Sequence, residues 1–544
     1  MTRAIDSVRV KGISMRVEDN RVAVAVSFGL TNRASSIPRP HRPIAWTNAR
    51  SHFRPMKSPL FRFLFTLIVS LPCRGHAAPS APGPVPSRPN LIFIMTDDQA
   101  AWGVGAYGNR EIVTPQIDRL AREGVLLRNA FVPTPVCSAS RATFLTGRYG
   151  TQLGITDYIA TSEEEAGIGL PVGQPTWPGL LQRAGYRTGL VGKWHVGIKP
   201  QFHPAKRGFD HFFGFVGGFN SPMDPKLEED GVVKQFKGPI ADILTDDAMR
   251  FVEDNRTRPF ALLVHYREPH LKYGPMPEED NAVYRDRKLT VPAYPGCDPA
   301  EVEEMTRGYY TAIHAVDRNV GRLMARLDEL HLASNTIVVF TSDHGYMIGQ
   351  HGLHTKGNAW WMVQGIPPNT KRPNMYEYSI RIPFIVRWPG VIAPGTETTA
   401  PFSSIDTLAT MLGILGVPLP RDLRQEGKDY SPLLRGEKIA WREVTFGQYD
   451  LHSGGLAHLR MARTERWKLV RHYLSLELDE LYDLRNDPEE LDNLYRLRHA
   501  SAHATISEIR AARDQLQDQL YAWQRSIDDP LLALMATERD PAQR

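Results

Sequence analysis

Asn90-Leu91-Ile92-Phe93-Ile94-Met95-Thr96-Asp97-Asp98 is the stretch that decides the fold of this 544-residue chain. An unbroken apolar run stopped by two carboxylates is the pattern of a strand buried on both faces, as in a parallel sheet covered by helices. The pattern recurs. Residues 186–192 run into Lys193-Trp194-His195, residues 260–266 precede Glu268-Pro269-His270, and residues 336–341 precede Ser342-Asp343-His344. Residues 114–124 read as a helix, with Thr114 as N-cap, Pro115 in the first turn and Gly124 as the stop. Residues 303–330 have helical spacing, 382–388 read as a strand and 404–415 as a helix. This alternation predicts an α/β fold, a large mostly parallel sheet sandwiched by helices. Ligands bind such sheets at the carboxyl edge of the strands. Asp97, Asp98, Lys193, His195, His270, Asp343 and His344 all follow strand ends, so they are expected on one rim.

From about Trp441 the apolar pieces shorten, at 444–449, 459–463, 468–473 and Leu481-Tyr482-Asp483-Leu484, before a last helix over roughly 502–523. That reads as a smaller C-terminal antiparallel sheet plus a helix. The expected organisation is then a catalytic domain over 90–440 and an α+β subdomain over 441–544, with no internal repeat.

The formal charge of +5 misleads, because residues 1–77 hold 13 Lys+Arg against 3 Asp+Glu. The remainder carries 52 basic and 57 acidic residues, a net of −5, which argues against a nucleic-acid partner. Residues 56–77 have the three parts of an export leader: Met56-Lys57 with Arg62, the apolar stretch from Phe63 to Leu71, and Gly75-His76-Ala77. The apolar stretch is too short for a stable membrane span. Residues 1–55 then read as an extension ahead of the true start, and the Pro/Ser/Ala-rich 78–89 as a linker. An exported product, periplasmic or extracellular, is expected. It would keep Cys137 and Cys297, too few for a disulfide framework.

Cys137-Ser138-Ala139-Ser140-Arg141, followed by Leu145-Thr146-Gly147-Arg148, is an odd setting for a structural thiol. Ala142, Phe144 and Leu145 suggest a short helix with Cys137 at its N-terminus, where backbone N–H groups favour an anion. Asp97, Asp98, Asp343 and His344 form an oxygen-rich donor set suited to a hard divalent cation. The imidazole is a softer ligand, so calcium comes first with magnesium or manganese as alternatives.

Together these motifs resemble the type I, formylglycine-dependent sulfatases of the alkaline-phosphatase-like superfamily. The resemblance runs from Asn90 to about Leu494 and includes Gly192-Lys193-Trp194-His195, Lys356 after His351-Gly352, and Arg381-Ile382-Pro383-Phe384. Ala139 stands where the commoner signature has proline. The resemblance implies that a maturation enzyme oxidises Cys137 to formylglycine, whose hydrate attacks sulfur through a covalent sulfo-enzyme intermediate. It implies Asp97, Asp98, Asp343 and His344 as metal ligands, with residue 137 completing the set. Arg141 and Lys193 would hold the formylglycine and sulfate, His195 would be the base that releases sulfate, and His270 with Lys356 would serve the leaving group.

A phosphodiester or phosphonate monoester hydrolase on the same fold is the alternative, and a silent binder of sulfated glycans a more distant one. The segment 358–374, with Trp360-Trp361, reads as an insertion that offers a stacking platform, which points to a sulfated sugar or glycan substrate.

Overall fold

The apolar runs fold as their composition dictates. In this computed structural model, residues 88–229, 231–496, 501 and 503–533 are described, together with the backbone of three earlier strands. Those three, at Arg9–Val10, Ile13–Glu18 and Arg21–Val26, form a small antiparallel sheet. The expected leader at 56–77 and most of the 78–89 linker lie outside the described residues.

Ten strands make the main sheet: β1 (Asn90–Thr96), β2 (Val125–Leu127), β3 (Arg187–Lys193), β4 (His211–Phe215), β5 (Lys226–Glu229), β6 (Val232–Gln235), β7 (Phe260–His265), β8 (Thr336–Ser342), β9 (Phe384–Arg387) and β10 (Thr396–Thr398). Their spatial order is β6-β5-β4-β3-β7-β1-β8-β9-β2-β10. The central strands β4, β3, β7, β1 and β8 are mutually parallel. β9, the strand expected at 382–388, runs antiparallel to β8. The β5–β6 hairpin had no apolar run to announce it, since Val232 and Val233 are exposed.

The helices bearing on the sheet are α1 (Pro115–Glu123), α2 (Cys137–Thr146), α3 (Trp177–Arg183), α4 (Ile240–Asp254), α5 (Pro299–Glu329) and α6 (Thr407–Ile414). The strand period of two divides the side chains between the two faces. Ile92, Ile94, Leu262 and Val264 pack against Leu120 of α1, Phe251 of α4 and Val320 of α5. Leu91, Phe93, Leu263 and Val339 pack against Phe144 of α2, Trp177 of α3 and Met411 of α6. Each such fully buried side chain contributes about 1.5–3 kcal/mol.

Thr114 does sit at the N-cap of α1, but its hydroxyl makes no capping hydrogen bond. It accepts instead from the Gly105 N–H. The Asp317 carboxylate of α5 takes over, accepting from the Gln116 and Ile117 N–H groups at 3.0 and 2.8 Å. The stretch 404–415 splits into a 3-10 turn, Ser404–Asp406, and α6.

The C-terminal part is an antiparallel sheet of β11 (Thr445–Leu451), β12 (Ala457–Arg463), β13 (Trp467–His472) and β14 (Glu480–Asp483), with α7 (Ile506–Ser526). Trp523 of α7 stacks on Phe446 at 5.1 Å. The same cluster takes in Tyr149 and Ile405, so this sheet shares a core with the preceding residues. The architecture is the expected α/β one, a large mostly parallel sheet between helices followed by a smaller antiparallel sheet and a helix.

Candidate active site

β1 and β8 pair in parallel with Thr96 opposite Ser342, so Asp97-Asp98 and Asp343-His344 leave the sheet side by side. The Asp98 N–H donates to Asp343 Oδ1 at 3.1 Å, and the Asp343 N–H to the Thr96 carbonyl at 3.0 Å. Cys137 is the first residue of α2, preceded by extended Val136, and is 2% exposed. Its Sγ lies 3.5 Å from Asp97 Oδ1 and 3.5 Å from His344 Nε2, and Lys356 Nζ donates to it at 2.9 Å.

Arg141, one turn along α2, points at the carboxylates. Its Nε donates to Asp343 Oδ2 at 3.0 Å, and its guanidinium lies 3.6 Å from Asp97. Lys193, the last residue of β3, donates to Asp97. Gly192 allows this arrangement. It has φ 112°, and a Cβ there would stand 1.9 Å from the His265 carbonyl oxygen of β7. Lys356 also donates to Asp98 Oδ1 at 2.6 Å. His270 donates from Nδ1 to the Leu271 carbonyl at 2.6 Å, leaving Nε2 3.9 Å from Asp98. His195 sets Nε2 3.2 Å from the Ile159 carbonyl, and its buried Nδ1 has no partner. Asp98, His195 and Thr355 hold left-handed backbone at φ 74°, 57° and 85°. Such non-glycine positions cost about 1–3 kcal/mol each and cluster at functional sites.

The charges are tightly balanced. Burial alone would raise the Asp97 carboxyl, but Lys193, His270, Arg141 and Lys356 hold it well below the usual range. Burial opposes ionisation of the Cys137 thiol as well, yet Lys193 and Lys356 bring it down to about 6. Asp343 is pushed up to about 7, by burial and by Asp97, against the pull of His344 and Arg141. Burial lowers His195 well below an ordinary imidazole, with Lys193 and Arg141 adding to the effect. It is therefore neutral, with a Nε2–H to donate to Ile159 and Nδ1 free as the basic nitrogen.

A divalent cation fits this donor set. Asp97, Cys137, Asp343 and His344 can each bring one ligand atom within 4.8 Å of the others, as can Asp97, Asp98, Cys137 and His270. Three buried carboxylates crowded together, one of them resisting ionisation, form an oxygen-rich site suited to a hard cation.

Residues 89–417 match the family model "Sulfatase", which covers more than half of the chain. The chain belongs to the type I sulfatase family, of the alkaline-phosphatase-like superfamily. It is a sulfuric ester hydrolase. Residues 370–519 match a second model, "N-sulphoglucosamine sulphohydrolase, C-terminal". The chain is 28% identical to the N-acetylglucosamine-6-O-sulfatase of Bacteroides thetaiotaomicron, over 75% of its own length and 83% of that protein. It is 31% identical to the steryl-sulfatase of Rattus norvegicus, over 81% and 92% of the two lengths. A solved structure holding D-glucosamine-2-N,6-O-disulfate superposes with TM-score 0.70 at 26% identity, covering 82% of this chain and 99% of that one. The phosphonate monoester hydrolase of Agrobacterium radiobacter shares the fold, with TM-score 0.63 at 20% identity over 81% and 96%.

In this sulfatase all ten residues singled out in the sequence converge on one rim, in two layers. Asp98, Cys137, His195, His270 and Lys356 line a cavity of about 490 Å³. Arg141, Lys193, Asp97, Asp343 and His344 are enclosed behind them. Four features went unforeseen. His265, at the end of β7, is buried against the Lys193 carbonyl at 3.1 Å, and burial takes its proton affinity down to about 3. Glu268 is buried, its carboxyl raised by that burial to about 7. Glu164 and Lys371 complete the cavity wall with Phe219 and Asn358. The polar end of the 260–266 run was the available signal for His265; Glu164 sits in the short helix Thr161–Ala166 and Lys371 in the 358–374 insertion, and neither ends an apolar run. The tryptophan pair divides, Trp360 lining the cavity and Trp361 packing against the cluster of Met347, Leu353 and Tyr482.

Proposed function

We propose that this sulfatase cleaves a sulfate ester of a sugar or glycan, using formylglycine made from Cys137 by a maturation enzyme and one divalent metal, calcium foremost. The observation that carries this reading is the convergence of Cys137 Sγ, on the cavity wall, with Lys356 beside it and Asp97 and His344 enclosed behind it. The sugar is supported by the relative named N-acetylglucosamine-6-O-sulfatase and by the neighbour bound to a disulfated glucosamine. The leader-like 56–77 supports action outside the cytoplasm.

Asp97, Asp98, Asp343 and His344 would hold the cation, which would supply charge neutralisation for the sulfate and a lowered pKa for the attacking hydroxyl. The hydrated aldehyde at 137 supplies that hydroxyl. Its oxygen bonds to sulfur, the sulfur–oxygen bond to the sugar breaks, and the sugar leaves as an alcohol. Lys356 and His270 flank the cavity where that oxygen gains charge, and they return the proton. His195 Nδ1 then removes the proton of the second hydroxyl of the diol. The carbon–oxygen bond to sulfate breaks and the aldehyde reforms. Arg141 anchors Asp343 and Asp97 so that the donor set does not spread under its own repulsion.

Matured enzyme assayed against monosulfated aminosugars, sulfated oligosaccharides, aryl sulfates and phosphonate monoesters tests this reading. Highest kcat/KM on a sulfated sugar is expected. Activity confined to aryl sulfates, or greater on phosphonates, contradicts it.

A further inference from the structure

The cavity that holds the reacting centre carries one cation the reaction does not use. Lys371 lies on its wall, half-buried. Its Nζ sits 4.9 Å from the centroid of the Trp360 ring and donates to the Asn358 carbonyl at 3.2 Å. Among the described residues no carboxylate lies within 4.0 Å of it, whereas Lys193 and Lys356 both have one. Burial lowers its proton affinity and Lys356 adds to the effect, while Asp157 opposes it from beyond ion-pair contact, so the counter-charge is only partial. Trp360 and Lys371 face each other across a β-bridge, so the ammonium is fixed over the ring. The other carboxylates of the wall are accounted for: Asp98 is taken by Lys356, and Glu164 is turned toward the Gly218 N–H.

We propose that Lys371, seated over Trp360, is a specificity residue that binds a second anionic group on the leaving-group sugar, a carboxylate or a second sulfate. This deepens the sulfated-sugar reading and rests on it. The sugar lies in the cavity between Cys137 and the Trp360–Lys371 pair, its sulfate ester reaches Cys137, and its second anion pairs with the ammonium. A charge-assisted bond of this kind in a partly dry cavity discriminates roughly ten- to hundredfold against a substrate that lacks the anion.

The test uses matured full-length enzyme with three substrates on one sugar scaffold: a 6-sulfate alone, the same with a second sulfate, and the same with a carboxylate. Wild type, Lys371→Met and Lys371→Arg are compared. Methionine keeps an unbranched stem over Trp360 and removes the charge; arginine keeps the charge. The ratio of kcat/KM for the dianionic over the singly sulfated substrate is expected to fall about tenfold or more in Lys371→Met, through KM, and to stay within about twofold in Lys371→Arg. Which dianion loses more identifies the anion. Equal losses on all three substrates, or an unchanged ratio, overturn the assignment while leaving sulfated-sugar hydrolysis intact. Wild type that cleaves none of the three overturns the sugar reading and this assignment with it.

Discussion

At the scale of single residues, burial and charge bear on the proposed roles. His195 is held neutral by its surroundings, and a base works in its neutral form. Its proton affinity is depressed, so it loses function only when pH falls below that lowered value. The acid limb of kcat attributable to His195 is therefore expected below pH 6.5, in a pH profile with a fast-leaving aryl sulfate; a limb above 6.5 contradicts the assignment. His195→Ala should lower kcat by about 10²–10⁴-fold. It should also convert the progress curve into a burst followed by slow release, because desulfation of residue 137 becomes limiting. A proportional loss with no burst would mean that His195 acts before the intermediate. Arg141→Lys keeps a charge but cannot bond Asp343 and Asp97 together, so metal affinity should fall; calcium titration followed by thermal shift checks it.

At the scale of elements, strand ends set the site. Gly192→Ala forces a Cβ against the His265 carbonyl at a backbone angle L-residues avoid, so β3 and β7 must part and Lys193 must shift. A loss of about 1–3 kcal/mol of stability is expected, together with a fall in kcat, measured by denaturant unfolding and steady-state kinetics. Unchanged stability would show that the two strands tolerate the separation. This scale also shows what the sequence can reveal. Asp97-Asp98, Asp343-His344 and Lys193 were legible because each ends an apolar run, and a parallel sheet gathers such ends at one edge. Cys137 was legible as a helix start. The enclosure of Arg141 behind the carboxylates was not, since it depends on the side-chain path across α2 and β8. Nor was the Asp317 cap on α1, a contact between residues about 200 positions apart. Lys371 lies within the 358–374 segment read as an insertion, yet its place at the cavity was hidden because it depends on a local bridge to Trp360 that no residue pattern announces.

At the scale of the whole molecule, the catalytic sheet and the C-terminal sheet share buried groups. Lys468 of β13 is fully buried between Glu377 and Glu490, and Trp523 of α7 packs edge-on to Tyr149 at 5.0 Å. Calorimetry should therefore show one cooperative transition from residue 90 onward; two separated transitions would contradict a shared core. Chelation should lower that transition temperature, and calcium restore it, because a ligand at 100 times its Kd adds about 2.7 kcal/mol. A transition indifferent to chelator and calcium would mean that the carboxylate cluster holds no metal in solution. Among the described residues no helix is long and apolar enough to cross a membrane.

The proposed mechanism stands on residue 137 acting as an aldehyde among Asp97, His344 and Lys356. Peptide mapping of protein produced in its native host, read by mass at position 137, tests it most directly. Oxidation to formylglycine exchanges the thiol for a carbonyl and lowers the mass by about 18 Da. That shift is expected in the active fraction, and none in a Cys137→Ala variant without turnover. An unmodified thiol at 137 in fully active enzyme would contradict it.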